Sequence, residues 1–220
     1  MKKIILLFLL NQFTLSIYAQ NEMFIEQLSN REIVRKNFNE DDKLIRKQIF
    51  TVGKVEDKDN FYEIEVVIQV FDDKEKPVDK FKSIYRCEPD ELNIMLMIFP
   101  FSKSKSTRTK INSFSKNFKD MYDLNNLKDI DLEINFDSGM LDFFGSKSKI
   151  KIYDRILNQK GEMNYITSKL DAKAYAFGMR IKQFKYTVRE KLDLKGLLIF
   201  QKFTEQDGSY FTMKYTSQKD

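Results

Sequence analysis

Residues 62–99 read YEIEVVIQVFDDKEKPVDKFKSIYRCEPDELNIMLMIF, with two charged turns between three apolar runs. In the first run, apolar and polar residues alternate up to Val70, which is the period of a strand with one buried face. Each turn contains a proline, Pro77 or Pro89, and proline cannot continue a central strand. We therefore predict a β-meander with strands at residues 62–70, 78–87 and 93–99.

Alternating runs separated by polar turns continue on both sides of this meander. Such recurrence is typical of an antiparallel all-β domain. The clearest alternation lies in residues 130–136, where Ile, Leu and Phe occupy every second position. We predict further strands at residues 31–38, 44–55, 130–136, 140–144, 149–158, 163–170, 172–191, 197–203 and 210–215.

The longest of these runs, residues 172–191, changes phase in its middle. Apolar side chains occupy the odd positions from Tyr175 to Ile181 and the even positions from Phe184 to Val188. A shift of one residue moves every side chain of a strand to the opposite face. The sequence therefore predicts a bulge near Lys182 and Gln183, which would bend the strand strongly.

A helical period interrupts the strands after Pro100. Ser113 is a residue type that caps helix starts. Four residues then recur at the spacing of one helical face: Phe114, Phe118, Met121 and Tyr122. We predict a short amphipathic helix at residues 113–124 that lies across the sheet.

Residues 1–20 are predicted to be a secretory signal peptide. Lys2 and Lys3 precede a continuous apolar run at residues 4–10, and small and polar residues end the segment at Ala19 and Gln20, near which we place cleavage. A membrane-spanning helix needs about 20 apolar residues, so we predict no transmembrane segment. The mature protein is expected in the periplasm or outside the cell.

The predicted fold class is all-β (a β-rich α+β fold) in one domain, residues 21–220. A curved antiparallel sheet of roughly eight to ten strands forms the domain, and the short helix crosses its concave face. We find no linker rich in Pro, Gly or Ser and no repeat of fixed period.

The composition argues against several classes of protein. The chain of 220 residues has a net charge of +5, partly from the signal peptide, which argues against a nucleic-acid partner. It contains no histidine, so Ser-His-Asp catalysis, Cys-His catalysis and histidine-ligated zinc are excluded. Cys87 is the single cysteine and is predicted to be a buried strand residue. We predict no enzyme, no catalytic residue, no metal site and no cofactor.

Several of these features resemble the TapB-like family of exported proteins, a domain of unknown function. The resemblance rests on Tyr85-Arg86-Cys87 before the apolar Met95-Leu96-Met97, on Arg155 in a middle strand, and on the terminal run from Gly196-Leu197 through Phe203 and Asp207-Gly208 to Tyr210. It covers residues 31–217. It implies an architecture similar to the half-barrel of bacterial lipoprotein carriers, with helical elements across the concave side, and no catalytic residues.

A strongly bent sheet leaves a concave face that can hold a ligand. Methionine and aromatic side chains suit an adaptable apolar pocket. The predicted ligand-binding residues are Met95, Met97, Phe99, Phe114, Phe118, Met121, Tyr122, Phe177 and Met179. The alternative is that the helix simply fills the concave face and completes the core. The basic residues between Lys103 and Lys119 would suit anionic headgroups, and the alternative is that they form a solvated loop.

From these observations we predict an exported, non-catalytic domain that binds an apolar or lipid-like ligand in the concave face of its sheet. A lipid or a lipoprotein is the expected partner. The alternative is a structural or protein-interaction domain of the cell envelope, with a filled core and an envelope protein as partner. A cavity beneath Phe114 and Phe118 would distinguish the first hypothesis from the second.

Overall fold

The computed structural model describes residues 29–58, 61–87, 108–116, 121–136 and 147–216. These residues form eleven strands: β1 (Glu32–Phe38), β2 (Leu44–Lys58), β3 (Phe61–Phe71), β4 (Pro77–Cys87), β5 (Arg108–Lys116), β6 (Ile130–Phe136), β7 (Lys147–Lys160), β8 (Met163–Ala176), β9 (Met179–Asp193), β10 (Leu198–Thr204) and β11 (Tyr210–Tyr215). Within the described ranges, no helix has the length and apolar character needed to cross a membrane.

The strands form one large sheet in which neighbours along the chain pair antiparallel, with a single exception. β4 and β5 run parallel, over the four pairs from Ile84–Arg108 to Cys87–Ile111. β1 pairs with both β2 and β11, so the order of strands closes into a ring. The prediction of an all-β fold built on a large antiparallel sheet is confirmed, and the β4–β5 contact carries the pairing further round than a half-barrel.

One face of this sheet is enclosed and holds the core, and we call it the inner face. The alternation seen in the sequence produces it, since β3 buries every second side chain, Ile64, Val66 and Ile68 among them. The opposite face carries exposed charged residues, such as Lys82, which forms an ion pair with Glu65. Burial of the apolar set is therefore what fixes the register of each strand.

Bulges bend two of the long strands. In β2, Gly53 and Lys54 together face Glu65 of β3. In β7, Asp154 and Arg155 together face Ser168 of β8, and Asp154 has a left-handed φ of 54°. A bulge increases the local twist and re-aims the side chains beside it.

The predicted helix at residues 113–124 is not found where the structure describes that segment. Residues 113–116 belong to β5, in which Phe114 pairs with Glu133 of β6, and Met121 and Tyr122 form a turn. The cause is tertiary, because pairing with β6 satisfies backbone groups that a helix would satisfy locally. Residues 117–120 lie outside the described residues, as do the strands predicted at residues 93–99 and 140–144.

The prediction of one long strand at residues 172–191 is wrong. A turn at Phe177 and Gly178 divides it between β8 and β9. The predicted bulge is present one residue earlier than expected, because Ala174 pairs with Lys182 and Tyr175 pairs with Arg180, which leaves Ile181 as the extra residue.

Candidate functional site

The predicted ligand-binding residues fall into separate places. Met121 is buried on the inner face, where Tyr122 packs against the core. Phe177 and Met179 lie instead at the exposed tip of the β8–β9 hairpin, so they do not line the inner face with Met121. The backbone of Phe114 belongs to β5. The other four lie outside the described residues: Met95, Met97, Phe99 and Phe118.

A polar cluster occupies the middle of the inner face. The carboxylate oxygen Oε1 of Glu190 accepts hydrogen bonds from the Tyr122 hydroxyl at 2.8 Å and from Gln201 Nε2 at 2.7 Å. The hydroxyl of Tyr215 donates to Gln201 Oε1 at 2.5 Å. Glu190 and Gln201 are direct partners in the β9–β10 ladder, so the sheet register itself brings their side chains together.

The environment of this cluster favours its neutral forms. Burial raises the pKa of the Glu190 carboxyl above its ordinary value, although the hydrogen bonds from Gln201 and Tyr122 oppose that rise. Burial is also the largest cause that raises the pKa of Tyr122, followed by the charge of Glu190. The pKa of Tyr215 is raised for the same two reasons. Burial therefore disfavours the charged form of each ionisable group in the cluster.

Residues 121–128, which include Tyr122, lie over the inner face. We call them the cover segment. Its side chains Met121, Tyr122, Leu124 and Leu127 belong to the core or pack against it. Arg155 holds the segment from β7, donating to the carbonyl oxygens of Met121 at 2.5 Å and of Lys128 at 3.1 Å. The β7 bulge places Arg155 there.

A small cavity adjoins the cluster. Its volume is about 10 Å³, and it is lined by Met121, Ile152, Ser168, Leu170, Val188, Glu190, Gln201 and Phe203. That volume is close to the minimum that holds one water molecule. The buried hydroxyl of Ser168 has no hydrogen-bond partner within the described part of the chain, so the cavity has a polar side as well as an apolar one.

A second ionisable group lies on the same face, nearer the β10–β11 turn. The guanidinium of Arg35 stacks 4.2 Å from the centroid of the Phe211 ring, and its Nε donates to Asn37 Oδ1 at 2.8 Å. Burial lowers the pKa of Arg35 to about 10. Tyr186 packs edge-on against the same Phe211 ring and donates to Glu205 at 3.2 Å.

Sequence reasoning missed Glu190, Gln201 and Arg35. Glu190 had a detectable signal, since it occupies the apolar phase of β9 between Val188 and Leu192. A carboxylate at such a position is expected to face the core. Among the described residues, no group of three or more Cys, Asp or Glu side chains is placed to hold a metal ion.

Several solved structures are similar to this chain, and two of them are described below. No family model and no curated protein matches the sequence. The chain is similar to the "putative exported protein with YmcC-like fold" of Bacteroides fragilis, at 11% identity over 87% of this chain and 96% of that one, with a TM-score of 0.42. It is also similar to a "putative lipoprotein" of Parabacteroides distasonis, at 13% identity over 90% of this chain and 98% of that one, with a TM-score of 0.47. No family model supports the TapB-like resemblance, which stays a prediction.

Proposed function

We propose that the protein is an exported, non-catalytic domain that binds an apolar or lipid-like ligand on the inner face, where the cover segment now lies. The main support is the set of ionisable groups on that face. Glu190, Arg35 and Arg155 each form hydrogen bonds to neutral groups. A face that served stability alone would be expected to hold apolar side chains there, because burying charge is costly.

The cover segment supports the proposal in a second way. A barrel of about eight strands is just wide enough for its own side chains to fill, and this ring has eleven. Here the cover segment fills part of the interior with Met121, Leu124 and Leu127. The segment belongs to no strand, so its displacement would open a binding space without breaking the sheet.

The walls of that space suit an amphiphile. Ile152, Leu170 and Val188 present an apolar surface to an acyl chain. Arg35 would offer a cation to an anionic headgroup. The ligand class that fits both features is a lipid or fatty acid with one charged end.

The direct test is native mass spectrometry of the mature protein purified from its own envelope, followed by solvent extraction of anything bound. A reproducible lipid adduct is the expected result. A mass without adduct, unchanged after envelope lipids are added, would contradict the proposal.

A kinetic test uses the Arg155 contacts with the cover segment. Removing hydrogen bonds from a charged donor costs about 1.5–3 kcal/mol each, so Arg155→Met should speed uptake of a dansyl-labelled fatty acid at least about tenfold. Arg189→Met removes an exposed arginine from the outer face of β9 and is the matched control. Equal uptake rates for the two variants would show that the segment does not gate the site.

The second candidate is a structural or protein-interaction domain of the cell envelope with a filled core. The small cavity favours it, because its volume is about the size of one water molecule. This candidate predicts no lipid adduct and no uptake of the dansyl probe by the wild type or by Arg155→Met.

A further inference from the structure

The turn between β8 and β9 has an unusual residue at its tip. Ala176 pairs with Met179, so Phe177 and Gly178 alone make the turn. Both have left-handed φ angles, 51° and 77°, as in the type I′ hairpin turn that favours Asn-Gly. A bulky residue with such a φ is an outlier, and strained residues of this kind concentrate at functional sites.

Core packing does not explain Phe177 either. Its side chain is 92% exposed, and the following apolar residues Met179 and Ile181 are 67% and 50% exposed. We call these three side chains the apolar tip. Isolated exposed apolar residues are ordinary, whereas a cluster at one protruding point marks an interaction site.

The charge around the apolar tip is mostly positive, although the carboxylate of Asp171 lies 3.4 Å from Lys173 Nζ and accepts a hydrogen bond from Gln183. Between residues 172 and 189 the sequence contains no Asp or Glu and has five basic residues: Lys173, Arg180, Lys182, Lys185 and Arg189. Arg180 and Lys182 are exposed beside the tip. Arg180 donates to the neutral Gln183 at 3.1 Å. Lys182 lies 4.6 Å from the centroid of the Phe184 ring.

We propose that the β8–β9 hairpin docks this protein on an anionic lipid membrane, with the apolar tip inserted among the headgroups. Aromatic and aliphatic side chains gain from burial at the boundary between headgroups and acyl chains, and neighbouring bases attract anionic lipids. Charge complementarity selects a lipid surface over an apolar protein groove as the occupant. This inference goes beyond the proposed function, because it does not depend on a ligand at the inner face.

The hairpin geometry suits insertion. β8 and β9 are 14 and 15 residues long and are paired along their whole length up to the turn. The apolar tip is thus carried on an ordered ladder, and docking would require little loss of backbone entropy.

The first test is co-flotation of the mature protein with vesicles of phosphatidylcholine, alone or mixed with phosphatidylglycerol. Phe177→Asn removes the ring and installs the Asn-Gly pair that the turn prefers, so folding should be kept or improved. Burial of a Phe side chain in the membrane contributes favourable free energy to binding. Loss of the Phe177 ring should therefore weaken binding to the mixed vesicles at least about tenfold. The matched control is Leu194→Asn, which changes an exposed apolar residue in the β9–β10 turn and should bind as the wild type does.

A second variant separates insertion from surface adsorption. The chain contains no tryptophan, so Phe177→Trp introduces a single fluorescent reporter at the tip. Its emission should shift to shorter wavelength with phosphatidylglycerol vesicles and should be quenched by brominated acyl chains. Tryptophan placed by Leu194→Trp should show neither effect.

Charge is tested with Arg180→Gln, which should lower affinity for the mixed vesicles about fivefold and leave any binding to phosphatidylcholine unchanged. The proposal is overturned if the wild type does not float with phosphatidylglycerol vesicles. It is equally overturned if Phe177→Asn floats as well as the wild type, since binding would then be adsorption through the basic surface. Loss of vesicle binding with the dansyl probe still taken up would leave the inner-face function standing.

Discussion

The buried carboxyl of Glu190 makes the stability of the fold depend on pH. It links the cover segment, through Tyr122, with two strands of the sheet, through its own backbone and Gln201. Its carboxyl is held where the neutral form is favoured. A group of this kind makes the stability of the fold depend on pH, and the sign of that dependence follows from the direction of its shift.

The residue-scale prediction concerns Glu190→Gln. Because the pKa of Glu190 is raised in the folded state, its contribution to stability is fully present below the unfolded-state pKa and is lost as pH rises through the folded-state pKa. The amide cannot ionise, so at neutral pH the variant should be at least as stable as the wild type, with a gain on the order of 1 kcal/mol. Urea unfolding between about pH 4 and about pH 9 measures the two curves.

A second variant checks the assignment to this carboxyl. Tyr122→Phe removes a hydrogen bond that lowers the pKa of Glu190, so the loss of stability should extend to higher pH, with a cost of about 1 kcal/mol from the lost bond. Parallel curves for the wild type and Glu190→Gln would mean that this residue does not titrate with unfolding.

For single residues, the sequence predicts which side chains are buried better than it predicts their hydrogen-bond partners. The parity of β9 places Glu190 in the core, and the apolar Met121 is buried on the inner face. The partners come from the register between β9, β10 and β11 and from the irregular path of the cover segment. Gln201 and Tyr215 meet across β10 and β11, a contact that no local pattern in the chain contains.

Among the elements, β2 depends on a glycine in its bulge. A Cβ atom at Gly53 would lie 3.0 Å from the carbonyl oxygen of Glu65 in the neighbouring strand. That oxygen belongs to the backbone, so it can retreat only by distorting β3. The close approach of the two strands is what allows the bend at this point.

We therefore expect Gly53→Ala to destabilise the protein by about 1–3 kcal/mol. Chemical denaturation would measure the change. Gly161→Asn is the matched control, because Gly161 has a φ of 59° and open space around its Cα, and Asn tolerates that conformation. If the two variants are equally stable, the bulge has room that the geometry does not indicate.

Elements with a strict alternation were predictable, and those whose partner strand decides the structure were not. β3 and β11 match their predicted strands closely, since their period alone separates the inner face from solvent. Residues 113–116 of β5 fall within the predicted helix because the spacing of Phe114 and Phe118 also fits a helical face, and pairing with β6 overrides that periodicity. The β8–β9 turn was missed because Phe177 is a poor turn residue, so the usual Asn-Gly signal was absent.

At the scale of the whole molecule, the two terminal strands are neighbours. Ile33 of β1 pairs with Tyr215 of β11, and the backbone amide of Thr216 donates to the carbonyl of Glu32 at 3.0 Å. Closure therefore joins strands that are far apart in sequence. Such long-range pairing is expected to form late in folding.

This adjacency predicts that a circular permutant will fold. Joining Thr216 to Asn30 with a short Gly-Ser linker and opening the chain between Gly161 and Glu162 should keep the unfolding free energy within about 2 kcal/mol of the wild type. Circular dichroism during thermal unfolding measures this. A permutant opened inside β8, between Ser168 and Lys169, should fail to fold cooperatively, and comparable stability of both permutants would contradict the pairing scheme.

Fold class was predictable because the pattern of alternation is distributed along the chain. Closure was not, because it depends on the parallel contact of β4 with β5, and the apolar pattern does not encode which distant strand is a neighbour. The candidate site was likewise not predictable, because the contact between Arg155 and the cover segment depends on the curvature of the sheet.

The β4–β5 contact has a further consequence for behaviour at high concentration. Within the described residues, β4 has two strand partners only from Ile84 onward, and residues 77–83 pair with β3 alone. Such an edge is a template on which a second molecule can polymerise. Here it begins with Pro77 and carries three charged side chains, Asp79, Lys80 and Lys82. Proline and charged residues block edge-to-edge growth, so this edge is protected against pairing with a second molecule.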